Sequence, residues 1–411
     1  MQSQSPQNNA TPGRSPSTAE PTPIAPPQAR ESIRLLEASR IREVANAAMG
    51  RADVLAFWFG EPDAITPAFI RDAAKDSLDA GETFYGHNLG DPDLRAELSR
   101  YLSRLHGPVG VDRIAVTNSG VNALMLAAQL LVSPGDRVVA VVPLWPNVTE
   151  IPRILGATVE RVSLQVDPRS GLWSLNLERL LAEITPQTRA VIINSPSNPT
   201  GWVMPREQMQ ALLAHCRRTG TWIVSDEAYG RLVFDGSSQA PSMLDLADPL
   251  DRLIVANTFS KSWQMTGWRL GWLVVPASLI DDLGKLIEYN TSCAPAFVQQ
   301  AGLAALRDGE PVIQSFVRQL AERRDALIDA LRQIDGVSIA APQGAMYAFL
   351  QVAGQTDSLT LAKTLVRERG LGLAPGSAFG PEGEGYLRWC FAKPVQLLHE
   401  GAARLRAHLQ G

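Results

Sequence analysis

The sequence predicts an α/β fold, with a mostly parallel sheet in a large domain and a smaller α+β domain after it. Short apolar runs indicate buried strands, and most are separated by amphipathic stretches such as 121–131 and 206–217. Strands buried on both faces and joined by helices favour a parallel sheet with right-handed crossovers. After Pro276 the pattern is mainly helical, with short strands at 337–340 and 347–352, which indicates the second unit. The apolar runs of the first unit are 113–118, 137–142, 190–194, 222–225, 253–258 and 270–275.

Length and composition indicate a globular enzyme. At 411 residues the chain is long enough for two domains with a large core. Hydrophobic residues make up 45% and charged residues 19%, and the net charge of -4 gives no reason to expect a nucleic-acid partner. No apolar run is long enough to cross a bilayer, so no membrane association is expected. The three cysteines are widely scattered, which predicts reduced thiols in a cytoplasmic protein. The five histidines include no pair at the spacing of metal ligands, so no metal site is expected.

The first part of the chain differs from the rest. Residues 1–30 are rich in Pro, Ser, Gln and Thr and contain almost no large apolar side chain. Such a segment buries too little surface to offset its ordering entropy, so we expect a disordered tail. It also lacks the apolar stretch of a secretory signal. From Ile33 to Met49 apolar residues recur at helical spacing, and 54–59 is predicted to be a strand that runs into a turn at Gly60.

Lys261 stands at the end of a predicted buried strand, and Arg269 follows it beside Gly267 and Gly271. A lysine at such a position loses part of its hydration, which lowers its pKa and lets the amine form a Schiff base with a carbonyl. The arginine offers a charged fork for a phosphate. Pyridoxal 5'-phosphate carries both an aldehyde and a phosphate, and it is the cofactor that this pair predicts. A Ser-Lys dipeptide by itself would indicate only a solvated loop.

The stretch from Ser260 to Gly271, S-K-S-x-x-M-T-G-W-R-x-G, resembles the lysine-loop signature of class I/II aminotransferases, in the aspartate aminotransferase superfamily. The resemblance covers residues 31–411. It implies a fold-type I, pyridoxal-phosphate-dependent transferase whose large domain, 63–295, carries a mostly parallel seven-stranded sheet. Residues 31–62 and 296–411 would form the small domain, and two copies would assemble as a homodimer.

Further motifs of this family follow the predicted strands and imply a set of cofactor contacts. Ser119-Gly120-Val121 is a strand-to-helix junction, whose free N–H groups and helix dipole favour a phosphate. Asp226 would hold the pyridine nitrogen protonated, because a buried carboxylate needs a cationic partner. The resemblance also implies that Trp145 stacks on the pyridine ring and that Asn198 and Tyr229 donate hydrogen bonds to the phenolic oxygen. It further implies that Ser260 contacts the cofactor, that Arg269 binds its phosphate, and that Tyr85 reaches the cofactor phosphate of the neighbouring subunit in the dimer.

Four positions are expected to contact the substrate. Arg388, in the segment G-Y-L-R, matches the arginine that clamps the α-carboxylate in this family, and Asn198 in N-P-T-G lies beside the same carboxylate. At Gly60, in a G-E-P-D turn, a side chain would intrude on the substrate. Trp145 completes the set. Without the other motifs, a turn glycine and packed aromatic side chains would be the simpler interpretation of Gly60, Trp145 and Tyr85.

The resemblance implies an aminotransferase that moves the amino group of an L-amino acid to a 2-oxo acid through a Lys261 Schiff base. The freed Lys261 amine would act as general base. Acid-specific relatives often carry a lysine just after the phosphate-turn glycine, where this chain has Val121. Together with Trp58 and Phe59 near the expected pocket, this substitution favours a neutral or apolar amino donor.

Two alternatives share these residues. A β-lyase of the same fold would release pyruvate and a leaving group instead of passing the amino group on, and no motif excludes that chemistry. A regulatory protein that senses pyridoxal phosphate and binds DNA would carry an N-terminal winged helix. The polar residues 1–30 are too short to supply one, so this is the least favoured hypothesis.

Overall fold

The computed structural model describes residues 27–167 and 171–410. Its seven-stranded sheet is parallel except for Gly271–Val274, which runs antiparallel to both of its neighbours. The predicted mostly parallel sheet is therefore confirmed. Across the sheet the strands are Ile114–Thr117, Gly271–Val274, Leu253–Thr258, Trp222–Asp226, Thr188–Asn194, Arg137–Val142 and Thr158–Ser163.

The strand Thr158–Ser163 is the member of this sheet that no apolar run predicts. It lies at the sheet edge beside Arg137–Val142 and carries the charged side chains Glu160 and Arg161. Arg161 forms an ion pair with Glu382 at 2.7 Å. An edge strand is only half covered, so charges interrupt its apolar pattern and the sequence signal is lost.

Both faces of the large sheet are buried, as continuous apolar strands predict. In the strand Arg137–Val142, Val139 and Val141 belong to one hydrophobic cluster, while Val138 and Val142 belong to the cluster on the opposite face. Successive side chains of a strand point to opposite faces, so an uninterrupted apolar run supplies both clusters at once. Helices cover each face and fix the strand ends in position.

A second, smaller unit contains a four-stranded antiparallel sheet, in the order Val337–Ile339, Tyr347–Val352, Tyr386–Cys390 and Ala374–Pro375. The N-terminal segment joins this unit, because Leu55–Ala56 pairs in parallel with Leu371–Gly372. The predicted small α+β domain is confirmed. A further two-stranded ribbon pairs Gln165–Val166 with Trp173–Ser174.

The helices of the described residues connect and cover these sheets. The α-helices are Glu31–Arg34, Arg40–Ala47, Ala68–Asp79, Pro92–His106, Gly120–Leu131, Pro146–Ile154, Leu177–Glu183, Arg206–Thr219, Ile280–Thr291, Ala296–Asp308, Glu310–Arg332, Ser358–Arg369 and Val395–Leu409. Short 3-10 helices are Val111–Arg113, Met243–Asp245, Thr266–Trp268, Ala277–Leu279, Gly376–Phe379 and Pro381–Gly383. None of the helices described here has the length and hydropathy that a bilayer span requires.

The N-terminal part departs from the expected pattern in two ways. The helix expected over 33–49 is two helices, because the chain breaks after Leu35 and restarts at Arg40, where the Ser39 hydroxyl accepts from the Arg42 N–H at 3.3 Å. The strand expected over 54–59 has only two paired residues. Most of the segment predicted to be disordered, 1–26, lies outside the described residues, and the domain boundaries stay a prediction.

Candidate active site

A cavity of about 470 Å³ lies at the carboxyl end of the seven-stranded sheet. Every predicted site residue except Ser119 and Tyr85 lines it. One side, here called the sheet wall, consists of residues that follow the strands: Gly120, Val121, Trp145, Asn198, Asp226, Tyr229, Ser260, Lys261 and Arg269. The opposite side, here called the facing wall, consists of Arg42, Trp58, Phe59, Gly60, Tyr347 and Arg388. Ser119 is buried directly before Gly120.

Lys261 follows the buried strand Leu253–Thr258 and directs its amine into the cavity. Its Nζ donates a hydrogen bond to the Gly60 carbonyl oxygen at 2.7 Å, across to the facing wall. Burial lowers the pKa of Lys261 to about 8, and the nearby Arg388 and Arg269 act in the same direction. A substantial fraction of the amine is therefore neutral near pH 8, which is the form that acts as nucleophile or base.

The junction at Ser119 and Gly120 is a helix N-terminus whose geometry suits an anion. The Ser119 hydroxyl accepts from the Asn122 N–H at 3.1 Å, while the N–H groups of Gly120 and Val121 have no acceptor within the helix. A Cβ on Gly271 would lie 2.8 Å from the Gly120 nitrogen, so the antiparallel strand can pass this close only as glycine. The turn thus has free donors and the positive end of a helix dipole.

Two residues of the lysine loop complete this anion site. Ser260 is buried, and its hydroxyl accepts from the Thr258 hydroxyl at 2.9 Å. Arg269 adopts left-handed backbone geometry with φ of 56°, and its Nη1 donates to the Thr266 carbonyl at 2.6 Å. Ser119 also has a positive φ, of 137°. Non-glycine residues in such conformations are strained, and this strain is typical of functional loops.

Asp226 is a buried carboxylate that the described residues leave without an ion pair. Its side chain is 6% exposed and accepts one hydrogen bond, from the Ala228 N–H at 3.2 Å. Burial raises the pKa of Asp226 to about 6, and the neighbouring Glu227 adds to the rise. A buried carboxylate of this kind is strongly stabilised by a cation beside it, and it lines the cavity where such a cation can bind.

Arg388 is the matching buried cation on the facing wall. Its Nη1 donates to Asn198 Oδ1 at 3.0 Å, and its Nη2 donates to the Trp58 carbonyl oxygen. The guanidinium lies over the rings of Tyr347 and Phe379, with centroid distances of 4.5 and 4.9 Å. It is 2% exposed, and its Nε has no partner among the described atoms. The arginine is therefore rigidly held beside the cavity without a carboxylate.

Tyr229 and Tyr347 meet across the two walls. Their hydroxyl groups are 2.8 Å apart, and burial holds the pKa of Tyr229 well above its ordinary value, so it remains a hydrogen-bond donor. Gly60 makes room for this pair, since a Cβ at that position would lie 1.9 Å from the Tyr347 hydroxyl oxygen. Both tyrosines line the cavity.

Several lining residues were not predicted: Ser39, Ile41, Arg42, Leu124, Asn147, Asn194, Ala228, Asn257, Thr258 and Tyr347. Asn194 accepts the Asn198 N–H at 2.8 Å and donates to the Asp226 carbonyl at 3.1 Å, linking two strand ends. Its position at the end of a predicted strand could have identified it as a site residue. Arg42 and Tyr347 have no comparable local signal, because both reach the cavity from distant elements.

Tyr85 lies outside the cavity. It is 89% exposed, and the adjacent Phe84 is 85% exposed. Two large aromatic side chains side by side on the surface form an apolar patch, which is typical of a contact with another protein.

The cavity groups are complementary to pyridoxal 5'-phosphate. An amine with a lowered pKa suits its aldehyde, and a helix N-terminus beside an arginine suits its phosphate. The unpaired carboxylate of Asp226 suits a protonated pyridine nitrogen. Arg388 offers a guanidinium of the kind that binds carboxylates.

Comparison with known proteins agrees with this geometry. The family model of aminotransferases class I and II matches residues 52–405. The chain is 32% identical to an aspartate aminotransferase of Pyrococcus horikoshii over 93% of this chain and 97% of that protein. It is also similar to the solved structures of an aspartate aminotransferase from Thermotoga maritima, with 31% identity, and an alanine aminotransferase from Pyrococcus furiosus, with 25% identity. Both superpose with a TM-score of 0.86, covering 93% of this chain and 100% of the other.

The matches extend over both units of the fold and include the lysine loop, so they concern the whole catalytic framework rather than one motif. The chain belongs to the class I and II aminotransferases and is a transaminase that depends on pyridoxal 5'-phosphate.

Proposed function

We propose that this transaminase takes its amino group from a neutral or apolar L-amino acid, with Lys261 as the catalytic amine. The observation that carries the proposal is the Lys261 Nζ inside the cavity, with a pKa of about 8 and facing a buried, carboxylate-free Arg388. An amine and a carboxylate binder on opposite walls are what an α-amino acid requires.

The cofactor, when bound, supplies an aldehyde that takes up the amino group and an electron-poor ring that acidifies the substrate α-carbon. Asp226 would stabilise a proton on the ring nitrogen, and Trp145 would offer its flat face to the ring. Ser119, Gly120, Val121, Ser260 and Arg269 bind the phosphate. Support comes from the free N–H groups of the helix and from the lack of any ion pair at Asp226 within the described chain.

Lys261 moves the proton that the reaction transfers. Its neutral Nζ would accept the substrate α-proton and, as the protonated amine, would serve as the acid that gives the proton back. The lowered pKa supports this role, because a lysine at its ordinary pKa would be almost fully protonated at neutral pH. Tyr229 and Asn198 would hold the ring in place by donating hydrogen bonds to its phenolic oxygen.

Arg388 and Asn198 bind the substrate α-carboxylate. The existing Arg388–Asn198 hydrogen bond of 3.0 Å supports a shared site, and the packing of the guanidinium against two aromatic rings restricts its motion. An arginine held in one orientation binds a carboxylate with less loss of entropy. Gly60 leaves space for the substrate beside Tyr347.

The donor preference rests on the lining of the cavity. Val121, Ile41, Leu124, Trp58 and Phe59 all line it, so much of the surface open to a side chain is apolar. Apolar surface of this kind favours an apolar substrate side chain.

The protein further acts as a homodimer in the cytoplasm, with the domain boundaries given above. The exposed pair Phe84 and Tyr85 supports a dimer in which Tyr85 reaches the phosphate of the partner's cofactor. The three cysteines are unpaired, which supports a reducing compartment.

A half-reaction titration tests the proposal. The cofactor-loaded protein is mixed with single L-amino acids without any 2-oxo acid, and the cofactor absorption is followed. Neutral or apolar amino acids should convert the cofactor to its amino form at lower concentration than aspartate does. A preference for aspartate would contradict the proposed donor class, and release of 2-oxo acid and ammonia without cofactor conversion would indicate a β-lyase.

A further inference from the structure

Tyr347 lines the cavity from the facing wall, and the proposed function gives its hydroxyl no role. The residue begins the strand Tyr347–Val352 and is 1% exposed. Its hydroxyl oxygen lies 2.8 Å from that of Tyr229, which is its hydrogen-bonding partner among residues 27–167 and 171–410. Burial raises the pKa of Tyr347 to about 12, so the hydroxyl keeps its proton at neutral pH.

The main chain holds the two tyrosines opposite each other. The Ala345 N–H donates to the Leu232 carbonyl at 2.8 Å, and the Leu232 N–H donates to the Tyr229 carbonyl at 2.8 Å. Ala345 has a positive φ of 62°, which turns the chain directly before the strand of Tyr347. A non-glycine residue is strained in this conformation and keeps it only where the surrounding structure fixes it. The contact between the hydroxyls is therefore set by the backbone as well as by the side chains.

The ring of Tyr347 has a second contact, with Arg388. In the sheet Tyr347 is opposite Cys390, and Arg388 lies two residues earlier on the same face of that strand. The guanidinium carbon is 4.5 Å from the centroid of the Tyr347 ring. The ring thus packs against the carboxylate-binding arginine, while the hydroxyl contacts Tyr229.

A count of protons gives the hydrogen bond between the hydroxyls a direction. Each hydroxyl has one proton, and their mutual hydrogen bond uses one of the two. The proposed function requires the Tyr229 proton for the phenolic oxygen of the cofactor, so the donor at 2.8 Å has to be Tyr347. The reverse direction would leave the buried Tyr347 proton without an acceptor in the described part of the chain, which costs free energy.

We propose that Tyr347 is a positioning residue whose hydroxyl donates to Tyr229 and strengthens the hydrogen bond from Tyr229 to the cofactor, while its ring orients Arg388. The inference rests on the proposed function, from which it takes the partners of Tyr229 and Arg388. A donor that itself accepts a hydrogen bond is polarised and donates more strongly. A stronger bond to the phenolic oxygen favours its ionised form, so the bound cofactor loses the neighbouring proton at lower pH.

A pH titration of the absorption of the cofactor-loaded protein tests the hydroxyl. Tyr347→Phe keeps the ring and removes the hydroxyl, so the spectroscopic pKa of the bound cofactor should rise by about 0.3 to 0.5. Tyr229→Phe removes the direct donor and should raise it by about 1 or more. The double variant should match Tyr229→Phe, because Tyr347 acts through Tyr229. Tyr386→Phe removes a hydroxyl that lines a separate cavity and should match the wild type.

The KM for an amino donor tests the ring on the same preparations. Tyr347→Phe should leave KM within about twofold of the wild type, because the ring under Arg388 remains. Tyr347→Leu removes the ring as well as the hydroxyl and should raise KM about tenfold, since the contact between the cation and the ring is lost. It should also show the same rise in spectroscopic pKa as Tyr347→Phe.

The outcomes separate this inference from the proposed function. If Tyr229→Phe raised the spectroscopic pKa and Tyr347→Phe did not, the role of the Tyr347 hydroxyl would be overturned while the proposed function stood. Additive rises in the double variant would overturn the route through Tyr229, and an unchanged KM in Tyr347→Leu would overturn the role of the ring. An unchanged pKa in Tyr229→Phe would refute the contact of Tyr229 with the phenolic oxygen and this inference with it.

Discussion

The sheet wall and the facing wall of the cavity are built in different ways. Residues of the sheet wall lie at the strand ends of one sheet, and most are positioned by a buried strand a few residues before them in the chain. Residues of the facing wall come from a helix, a turn and two strands of the smaller unit. The sheet wall carries the groups that suit the cofactor, and the facing wall carries the cations that suit carboxylates. Cofactor chemistry and substrate selection are therefore supported by separate parts of the fold.

Removing the amine from the sheet wall should have the largest effect. Lys261→Ala should lower kcat by about 10⁴-fold or more, because both the nucleophile and the base are lost. Steady-state transamination with a neutral donor measures this, and Lys285→Ala, which removes a solvent-exposed lysine paired with Asp282, is the matched control. If Lys261→Ala kept more than a tenth of wild-type activity, the assignment of the sheet wall would be wrong.

Removing the cation from the facing wall should affect the substrate and spare the cofactor. Arg388→Ala should raise KM for amino acids about 100-fold, since a bidentate, charge-assisted contact is lost, while cofactor affinity changes less than about threefold. Cofactor titration and KM determination on the same preparation measure both. Arg388→Lys keeps the positive charge but loses the forked pair of donors, so its KM should lie between those of the wild type and Arg388→Ala. If Arg388→Ala weakened cofactor affinity as much as substrate affinity, the idea that the facing wall serves only the substrate would be wrong.

The buried carboxylate of the sheet wall should destabilise the protein when no cofactor is bound. The folded-state pKa of Asp226, about 6, lies above the ordinary aspartate value of 3.8, so this difference favours folding below pH 4 and the advantage disappears as pH rises through 6. Each pKa unit corresponds to about 1.4 kcal/mol, so ionised Asp226 costs about 3 kcal/mol of stability.

Asp226→Asn should therefore stabilise the cofactor-free protein by about 2 to 3 kcal/mol at pH 7.5, with the gain shrinking as pH falls to 5. Asparagine retains the acceptor for the Ala228 N–H, so packing changes little. Denaturant unfolding across this pH range measures the effect, and activity should drop at the same time. A gain that does not depend on pH would contradict the electrostatic cause.

A smaller effect is expected where the two walls touch. Gly60→Ala places a Cβ 1.9 Å from the Tyr347 hydroxyl oxygen, so Tyr347 must shift and its hydrogen bond to Tyr229 weakens. We expect kcat/KM to fall about tenfold with unchanged cofactor affinity. The double variant Gly60→Ala with Tyr347→Phe should recover part of the loss, because the closest clashing atom is gone and only the ring carbon Cζ, at 2.8 Å, still has to move. No recovery would mean that the added methyl acts elsewhere.

Local sequence patterns predict the sheet wall better than they predict the facing wall. Strand 137–142 and the turn after Trp222–Asp226 were predictable, because a buried run followed by a polar motif is a local pattern. The edge strand Thr158–Ser163 was missed because its exposed face carries charges. The helix expected over 33–49 is interrupted at Leu35–Ser39, and this interruption separates the helix that presents Arg42 from the one before it.

The sequence by itself determined the family, the cofactor and the nine residues named for the sheet wall, since most of their motifs lie within a few residues of a buried strand, although it missed Asn194 at a strand end. Only the tertiary structure decided which of these residues meet across the cavity. Lys261 donates a hydrogen bond to the Gly60 carbonyl, 201 residues away along the chain, and Arg388 donates one to the Trp58 carbonyl, 330 residues away. Periodicity reports the burial of neighbouring residues, whereas contacts at such separations arise from the packing of whole elements. For this reason Arg42, with no motif around it, is found among the cavity-lining residues only once the chain is folded.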